Sequence, residues 1–411
     1  MPVIDPLVLV RGVHFVATLL AAGTVSFIVL IAEPASRGGD SAVLPRRLAV
    51  VVWLALAAAV ASGFAWLVLV AANILDIPLG EAWLGFGPVA VGTRFGVIAG
   101  LRLAAALLLG LLLVLPPRQA LRLLQMGAAI ALTGLLAFAG HAGATPGAQG
   151  LLHLASDLAH LLAAAAWLGG LPAFVLMLAA AGPDASPAGA AFTVRATTRF
   201  SGLGIASVGV LLASGLTNSL ELLGDPAELW TTAYGRVLAL KSFLFVLMVG
   251  IAAINRFRLT PRLPARASVT ALRRNALIET ALGFAVVMLV GALGTMVPGG
   301  HVHTNTAPPS SEAAFVHIHT EAVMVDVTIA PGYAGKSVAT IRLMREDSQT
   351  YEARDIKLVL EAREGGTRTP ERSAVPASDG TWTVENLQIS HSGVWTLRLS
   401  IDSGGGPPLL L

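Results

Sequence analysis

Long apolar stretches decide what this chain can become. Eight of them, at about 8–32, 48–72, 94–115, 120–140, 151–181, 202–222, 235–256 and 274–297, are long enough to cross a bilayer as helices. Roughly 20 residues are needed to span ~30 Å of hydrocarbon. A helix satisfies its own backbone hydrogen bonds, which lipid cannot do. Only 12% of the residues are charged and 55% are hydrophobic, so an ordinary soluble domain is excluded for this part of the chain. The first stretch lacks the basic leader and short core of a cleaved signal peptide and reads as a retained helix.

The arginines sort by link. Arg37, Arg46 and Arg47 lie between stretches one and two, and Arg118 and Arg122 flank the link between three and four. Arg195 and Arg199 precede the sixth stretch, and Arg256, Arg258, Arg262, Arg266, Arg273 and Arg274 crowd the link between seven and eight. The alternate links, 73–93, 141–150 and 223–235, hold no Lys or Arg. By the positive-inside rule the arginine-bearing links are cytoplasmic and both termini lie outside, which is periplasmic in a Gram-negative cell. Arginines sorted by membrane side do not form a nucleic-acid groove, so no nucleic acid is expected as a partner. Membrane lipid is expected, and the sequence leaves the oligomeric state open.

There is no cysteine, which excludes disulfides and thiolate metal sites. Gly335-Lys336-Ser337 resembles the end of a P-loop, but Ala330 stands where its first glycine belongs. Nothing points to ATP-driven pumping, and no enzyme activity is expected.

Beyond the eighth stretch the pattern changes. Residues 298–313 are rich in Pro, Gly, Ser and Thr and read as a linker. From 314 to 402 the period becomes two, as in Val323, Val325, Val327 and Ile329, and again in Trp395, Leu397, Leu399 and Ile401. Turn signals at Pro331-Gly332, Gly365-Gly366 and Asp379-Gly380 separate six or seven short strands. The expected fold is therefore an all-α membrane bundle of eight transmembrane helices (1–297), followed by a small extracytoplasmic all-β sandwich (314–402). The tail 403–411 has no evident structural reading.

Chemistry enters through histidine. His14, His141, His153 and His160 lie in or beside the apolar stretches, and the charge pattern places all four toward the outer face. Imidazole is costly in hydrocarbon and is a common metal ligand. His153, Asp157 and His160, spaced i, i+4, i+7, share one helical stripe, with the two histidines about 10 Å apart along the axis. A carboxylate one turn from each imidazole can orient a ring and hold positive charge nearby. Copper accepts imidazole, and Cu(I) also accepts thioether, so Met296 at the outer end of the eighth stretch can join, with Met288 deeper. Most methionines in apolar helices are packing residues, and that reading stands beside the first. Two histidine pairs follow: His301 and His303 in the linker, and His317 and His319 on the first strand, where residues two apart share a face. Met324 and Asp326 on the next run are placed to complete that set. Of the remaining embedded charges, Glu279 reads as lying near the cytoplasmic arginines and Arg94 as snorkelling outward. Arg102 and Lys241 are candidates to pair with Asp157 or Glu279.

Several short pieces carry a resemblance. Arg11-Gly12-Val13-His14, Gly140-His141-Ala142, His153 with Trp167-Leu168-Gly169-Gly170-Leu171, and Leu212-Ala213-Ser214-Gly215 come first. Tyr234-Gly235-Arg236 with Lys241, Asn255-Arg256-Phe257, and Leu272-Arg273-Arg274 with Glu279 follow in order. Through them the chain resembles the copper-resistance D (CopD) family of bacterial inner-membrane proteins. Residues 314–402 resemble a YtkA-like β-sandwich through His317-Ile318-His319, Pro331-Gly332 with Gly335, and Gly393-Val394-Trp395. The resemblance implies copper movement across the inner membrane, commonly inward, with a periplasmic CopC-like copper-binding protein as partner. No CopC-type domain is visible at the amino terminus. The expected cargo is a copper ion, Cu(I) or Cu(II). A haem-binding protein of the cytochrome-b type and a copper sensor or assembly factor that conducts nothing are the alternatives.

Overall fold

A computed structural model describes the chain except residues 1–4, 37–42, 76, 84–85, 117, 140–146, 182–185, 223–225, 297–312, 320–322, 345–350, 363–367, 378–379, 391–394 and 405–407. The chain divides into two compact units, Met1–His303 and Thr304–Leu411.

The first unit is helical. Its elements are α1 (Pro6–Phe27), α2 (Glu33–Ala35), α3 (Val43–Leu75), α4 (Phe86–Gly92), α5 (Arg94–Val114) and α6 (Gln119–Gly134). There follow α7 (Gly147–Trp167), α8 (Leu171–Ala180), α9 (Pro187–Leu222), α10 (Glu228–Thr231), α11 (Ala233–Ile254) and α12 (Arg266–Leu293). Seven helical stretches among the described residues are long and apolar enough to cross a membrane. The expected fourth crossing falls on α6, whose 16 residues span about 24 Å at 1.5 Å per residue, short of the hydrocarbon thickness.

Local signals account for the helix starts. Asp5 caps α1 by accepting from the Leu7 N–H at 2.8 Å, with Pro6 in the first turn. Thr93 and Thr232 cap α5 and α11 by accepting from Gly96 and Gly235 at 3.0 and 2.9 Å. The fifth apolar stretch is broken by sequence: α7 stops at Trp167, and α8 restarts at Leu171 with Pro172 in its first turn. Gly169 in that break packs on α1, where any Cβ would overlap the Leu19 carbonyl. Small residues thus let backbones meet where hydrocarbon supplies no hydrophobic drive between helices.

Helix α1 contacts α3, α6, α7, α8 and α12 and forms the centre of the bundle. Of the 18 residues in its most apolar stretch, 61% are buried inside the protein, against 11% for Ala233–Arg262, which packs less deeply. The core around α1 includes Phe27, Leu48, Leu109, Leu132, Leu171 and Met248. Phe174 stacks on Phe200 with ring centroids 4.6 Å apart, and Phe27 meets Phe200 edge-on at 5.7 Å.

The second unit is β-rich. Its strands are β1 (Ala314–His319), β2 (Met324–Ala330), β3 (Gly335–Met344), β4 (Asp355–Ala362), β5 (Arg372–Ser373), β6 (Val375–Pro376), β7 (Trp382–Ile389), β8 (Trp395–Asp402) and β9 (Leu409–Leu410). They form two antiparallel sheets, one ordered β1-β2-β3-β7-β6 and the other β5-β4-β8-β9. The alternating residues Val325, Val327, Ile341 and Leu343 of the first sheet share one buried cluster with Ile356, Leu358, Leu399 and Ile401 of the second. The tail that the sequence leaves unread adds β9 to β8, pairing Leu410 with Ser400 and Leu409 with Ile401.

Candidate functional site

Two groups of buried polar side chains occupy the helical unit, each centred on histidine. In the first, His14 on α1 is only 4% exposed and faces α3 and α5. Its Nδ1 lies 3.0 Å from Ser62 Oγ, and Ser62 itself donates to the Ala58 carbonyl at 2.5 Å. Arg102 of α5 donates through Nη2 to His14 Nε2 and also, at 3.3 Å, to Thr18 Oγ1. A guanidinium has only donors, so Nε2 must accept and the ring proton sits on Nδ1, donated to Ser62. Both ring nitrogens are therefore engaged. Trp66 packs edge-on against the ring with centroids 5.5 Å apart, and a Cβ at Gly63 would stand 3.0 Å from His14 Cε1. Arg102, 6% exposed, draws its partners from α1 and makes no ion pair with Asp157 or Glu279.

The second group lies where α7 packs on α9. His153, Asp157 and His160 descend one stripe of α7. His160 Nδ1 is 2.9 Å from Ser214 Oγ, and Ser214 donates its own proton to the Val210 carbonyl at 2.6 Å. Ser214 can then only accept, so His160 carries its proton on Nδ1 and leaves the Nε2 lone pair unused. Asn218 of α9 donates to Asp157 Oδ1 at 2.5 Å, which leaves Oδ2 toward His153 Nε2 at 3.9 Å. That gap is too long for a hydrogen bond and suits a bridging water or ion. Asn218 Oδ1 is buried without a partner. From α11, Lys241 acts electrostatically on both Asp157 and His160, and Asp157 in turn acts on Tyr234.

The structure thus splits the expected cluster. His153, Asp157 and His160 stay together as a ladder, while His14 belongs to the arginine group. His141, His301 and His303 lie outside the described residues. Met296 packs with Tyr234, Leu238 and Leu293 at the Tyr234 end of α11, and Met288 presses its sulfur against the Gly12 position of α1. Glu279 is 3% exposed and takes its hydrogen bond from Asn255, not from an arginine. In the second unit, the register places His317 opposite Asp326 and His319 opposite Met324, so these four positions share one face of the β1–β2 pair. No three His, Asp or Glu side chains among the described residues converge tightly enough to hold one ion.

Sequence reasoning missed Ser214 and Asn218 as partners. The signal was present, since Ser214-Gly215 and Asn218 recur at i, i+4 on a single α9 face, but it reads equally well as small-residue packing.

Seven stretches among the described residues long and apolar enough to cross a membrane, with an imidazole–carboxylate ladder between helices, define a multi-pass membrane protein with a polar site inside the bundle. The chain belongs to the copper resistance protein D family. Residues 194–293 match the description "Copper resistance protein D", and residues 2–151 match "Copper resistance protein D-like, N-terminal domain". The chain is 36% identical over 210 residues to "Inner membrane protein YebZ" of Escherichia coli, covering 50% of this chain and 70% of that protein. It is 29% identical over 270 residues to "Copper transport protein CutJ" of Bacillus subtilis, covering 64% of this chain and 46% of that one. It is 28% identical over 234 residues to "Copper resistance protein D" of Pseudomonas syringae, covering 55% and 70%. The match thus spans less than half the length of the Bacillus relative. No solved structure matches the chain.

Proposed function

We propose that this protein moves copper across the bacterial inner membrane, using the α7 ladder as its intramembrane path. The observation that carries this reading is the hydrogen-bond state of His160. Ser214 holds its Nδ1 proton, so the imidazole offers Nε2 as a ready metal ligand without losing a proton. Asp157 lies one turn from each histidine, so a cation passing from His153 to His160 keeps a carboxylate beside it throughout. Two imidazoles about 10 Å apart along one axis serve two successive stations better than one closed cage, and a cargo must also leave. Copper is cargo here, and membership of a copper resistance and transport family supports that choice.

The remaining features follow from the same reading. The α6 helix, extended by its 3₁₀ turn at Ala137–Ala139, serves as an eighth crossing, and the arginine-bearing links are cytoplasmic. Both termini and the two packed sheets, a β-sandwich in this reading, are then periplasmic. His141, His301 and His303 follow the fourth and eighth apolar stretches in sequence, which assigns them to the periplasmic side in this reading. Copper arrives from a CopC-like protein or from His317, His319, Met324 and Asp326. The haem alternative gains no support, because His153 and His160 sit one below the other on a single helix and cannot grip one iron from opposite faces.

Copper accumulation in cells producing His153→Ala or His160→Ala at wild-type protein level tests the proposal. Accumulation falls in both variants if the ladder conducts; unchanged accumulation in both removes the ladder as the path.

A further inference from the structure

A cavity lies among the end of α7, α8, α9, the end of α11 and α12. It has a volume of about 210 Å³, room for several waters at ~30 Å³ each. Its walls are mostly apolar, with Trp167, Phe174 and Phe200 among them, yet two buried oxygens line it without any hydrogen-bond partner. They are Glu279 Oε1 and Thr197 Oγ1, on side chains 3% and 2% exposed. Glu279 sits near the middle of the 28-residue α12. Its other oxygen, Oε2, accepts from Asn255 Nδ2 at 3.0 Å, and Asn255 is oriented in turn by Asn275, which donates to its Oδ1 at 2.8 Å. Asn255 opens a π-helical turn, Asn255–Leu259, a distortion common at functional sites. One carboxyl oxygen is thus held by a relay of two amides, and the other is buried at the cavity wall with no hydrogen-bond partner among the described residues.

An ionised carboxylate buried without a cation costs several kcal/mol. Arg256 is the other charged residue lining the cavity and forms no ion pair with Glu279. The group must therefore carry its own cation. Glu279 is the one carboxylate lining the cavity, the other side-chain oxygens there are the neutral ones of Thr197, Ser201, Asn255 and Thr260, and copper prefers nitrogen or sulfur. A proton needs one oxygen.

We infer that Glu279 is a proton-binding site, taking its proton from water that enters the adjoining cavity and returning it there. The balance is simple: hydronium gives its proton to the carboxylate and leaves as water, and the reverse step restores the anion. Arg256 and Thr260 line the same cavity at the arginine-rich end of α11, so its water is drawn from the side that the proposed topology makes cytoplasmic. The site stands on its own geometry. Its use as the coupling ion of copper movement rests on the transport reading.

Dicyclohexylcarbodiimide tests the site without copper, because it adds across a protonated carboxyl in apolar surroundings and leaves ionised, solvated carboxylates largely untouched. The purified full chain is treated at neutral pH, in K⁺ or Na⁺ buffer, and its peptides are mapped by mass spectrometry. The inference predicts modification at Glu279 in wild type, equal in both salts, and none at that position in Glu279→Gln. Absence of modification at Glu279 overturns it, and so does tenfold or greater protection by Na⁺, which would make the site one for a metal cation. The wild-type measurement is decisive even if the glutamine variant fails to fold. Modification at Glu279 in a protein that carries no copper would separate this inference from the transport reading.

Discussion

His160 and Ser214 face each other across the α7–α9 contact, Nδ1 and Oγ 2.9 Å apart, with the serine proton already committed to the Val210 carbonyl. Ser62 stands in the same relation to His14 and the Ala58 carbonyl. The two imidazoles are fixed in the same tautomer but differ at Nε2, which Arg102 occupies on His14 and no hydrogen-bond partner among the described residues occupies on His160. In the proposed reading, that difference separates an imidazole that holds helices together from one that is ready for a ligand.

Removing the orienting hydroxyl tests the tautomer argument. Ser214→Ala leaves His160 free to place its proton on either nitrogen, and copper affinity falls about 10- to 100-fold, as for other partners of metal-binding histidines. Copper titration of the purified protein measures the change. Ser62→Ala, which acts on the other histidine, leaves that affinity within about twofold if His14 is not a ligand, on the additivity expected of separate groups.

His14→Ala removes the acceptor of a buried guanidinium. The expected cost is about 1–3 kcal/mol, read as a lower melting temperature in detergent. The double variant His14→Leu with Arg102→Met removes charge and acceptor together and recovers part of that loss. A single variant that melts like wild type would mean that the Arg102–His14 bond contributes nothing to the bundle.

Gly169 admits no side chain beside the Leu19 carbonyl. Gly169→Val forces α1 and the α7–α8 break apart, with a cost of at least about 1–3 kcal/mol from overpacking. Gly209→Val, a position where a Cβ meets nothing within 4 Å, is the control and leaves the melting temperature nearly unchanged.

Much of this architecture was legible in the sequence because it rests on long-period signals. Apolar runs marked the seven helical stretches long enough to cross, and alternation marked β2, β3, β4, β7 and β8. The His153–Asp157–His160 stripe needed only helical geometry. What escaped depends on which helices are neighbours, which no periodicity encodes. Arg102 is a candidate by sequence to pair with Asp157 or Glu279, but α5 packs on α3, α4 and α6, and from there the Arg102 side chain reaches His14 of α1. Glu279 reads from its spacing as lying close to the cytoplasmic arginines, yet it turns inward to Asn255. Leu409 and Leu410 follow a run of Gly and Pro and show no alternation, so their pairing with β8 is set by the partner strand.

In the second unit, the register that sets His317 against Asp326 and His319 against Met324 makes a separate prediction. His317→Ala combined with His319→Ala lowers the copper bound per full-length chain without altering affinity at the α7 ladder. Metal analysis of wild type and variant at matched copper exposure measures it, and equal content rules out metal capture at this strand pair.

The most direct measurement of the account is copper uptake into sealed proteoliposomes holding wild type, His160→Ala or Ser214→Ala. Wild type is predicted to accumulate copper above empty vesicles, His160→Ala to fall to the empty-vesicle level, and Ser214→Ala to lie between. Uptake by His160→Ala equal to wild type would contradict the claim that the cation passes through the α7 ladder.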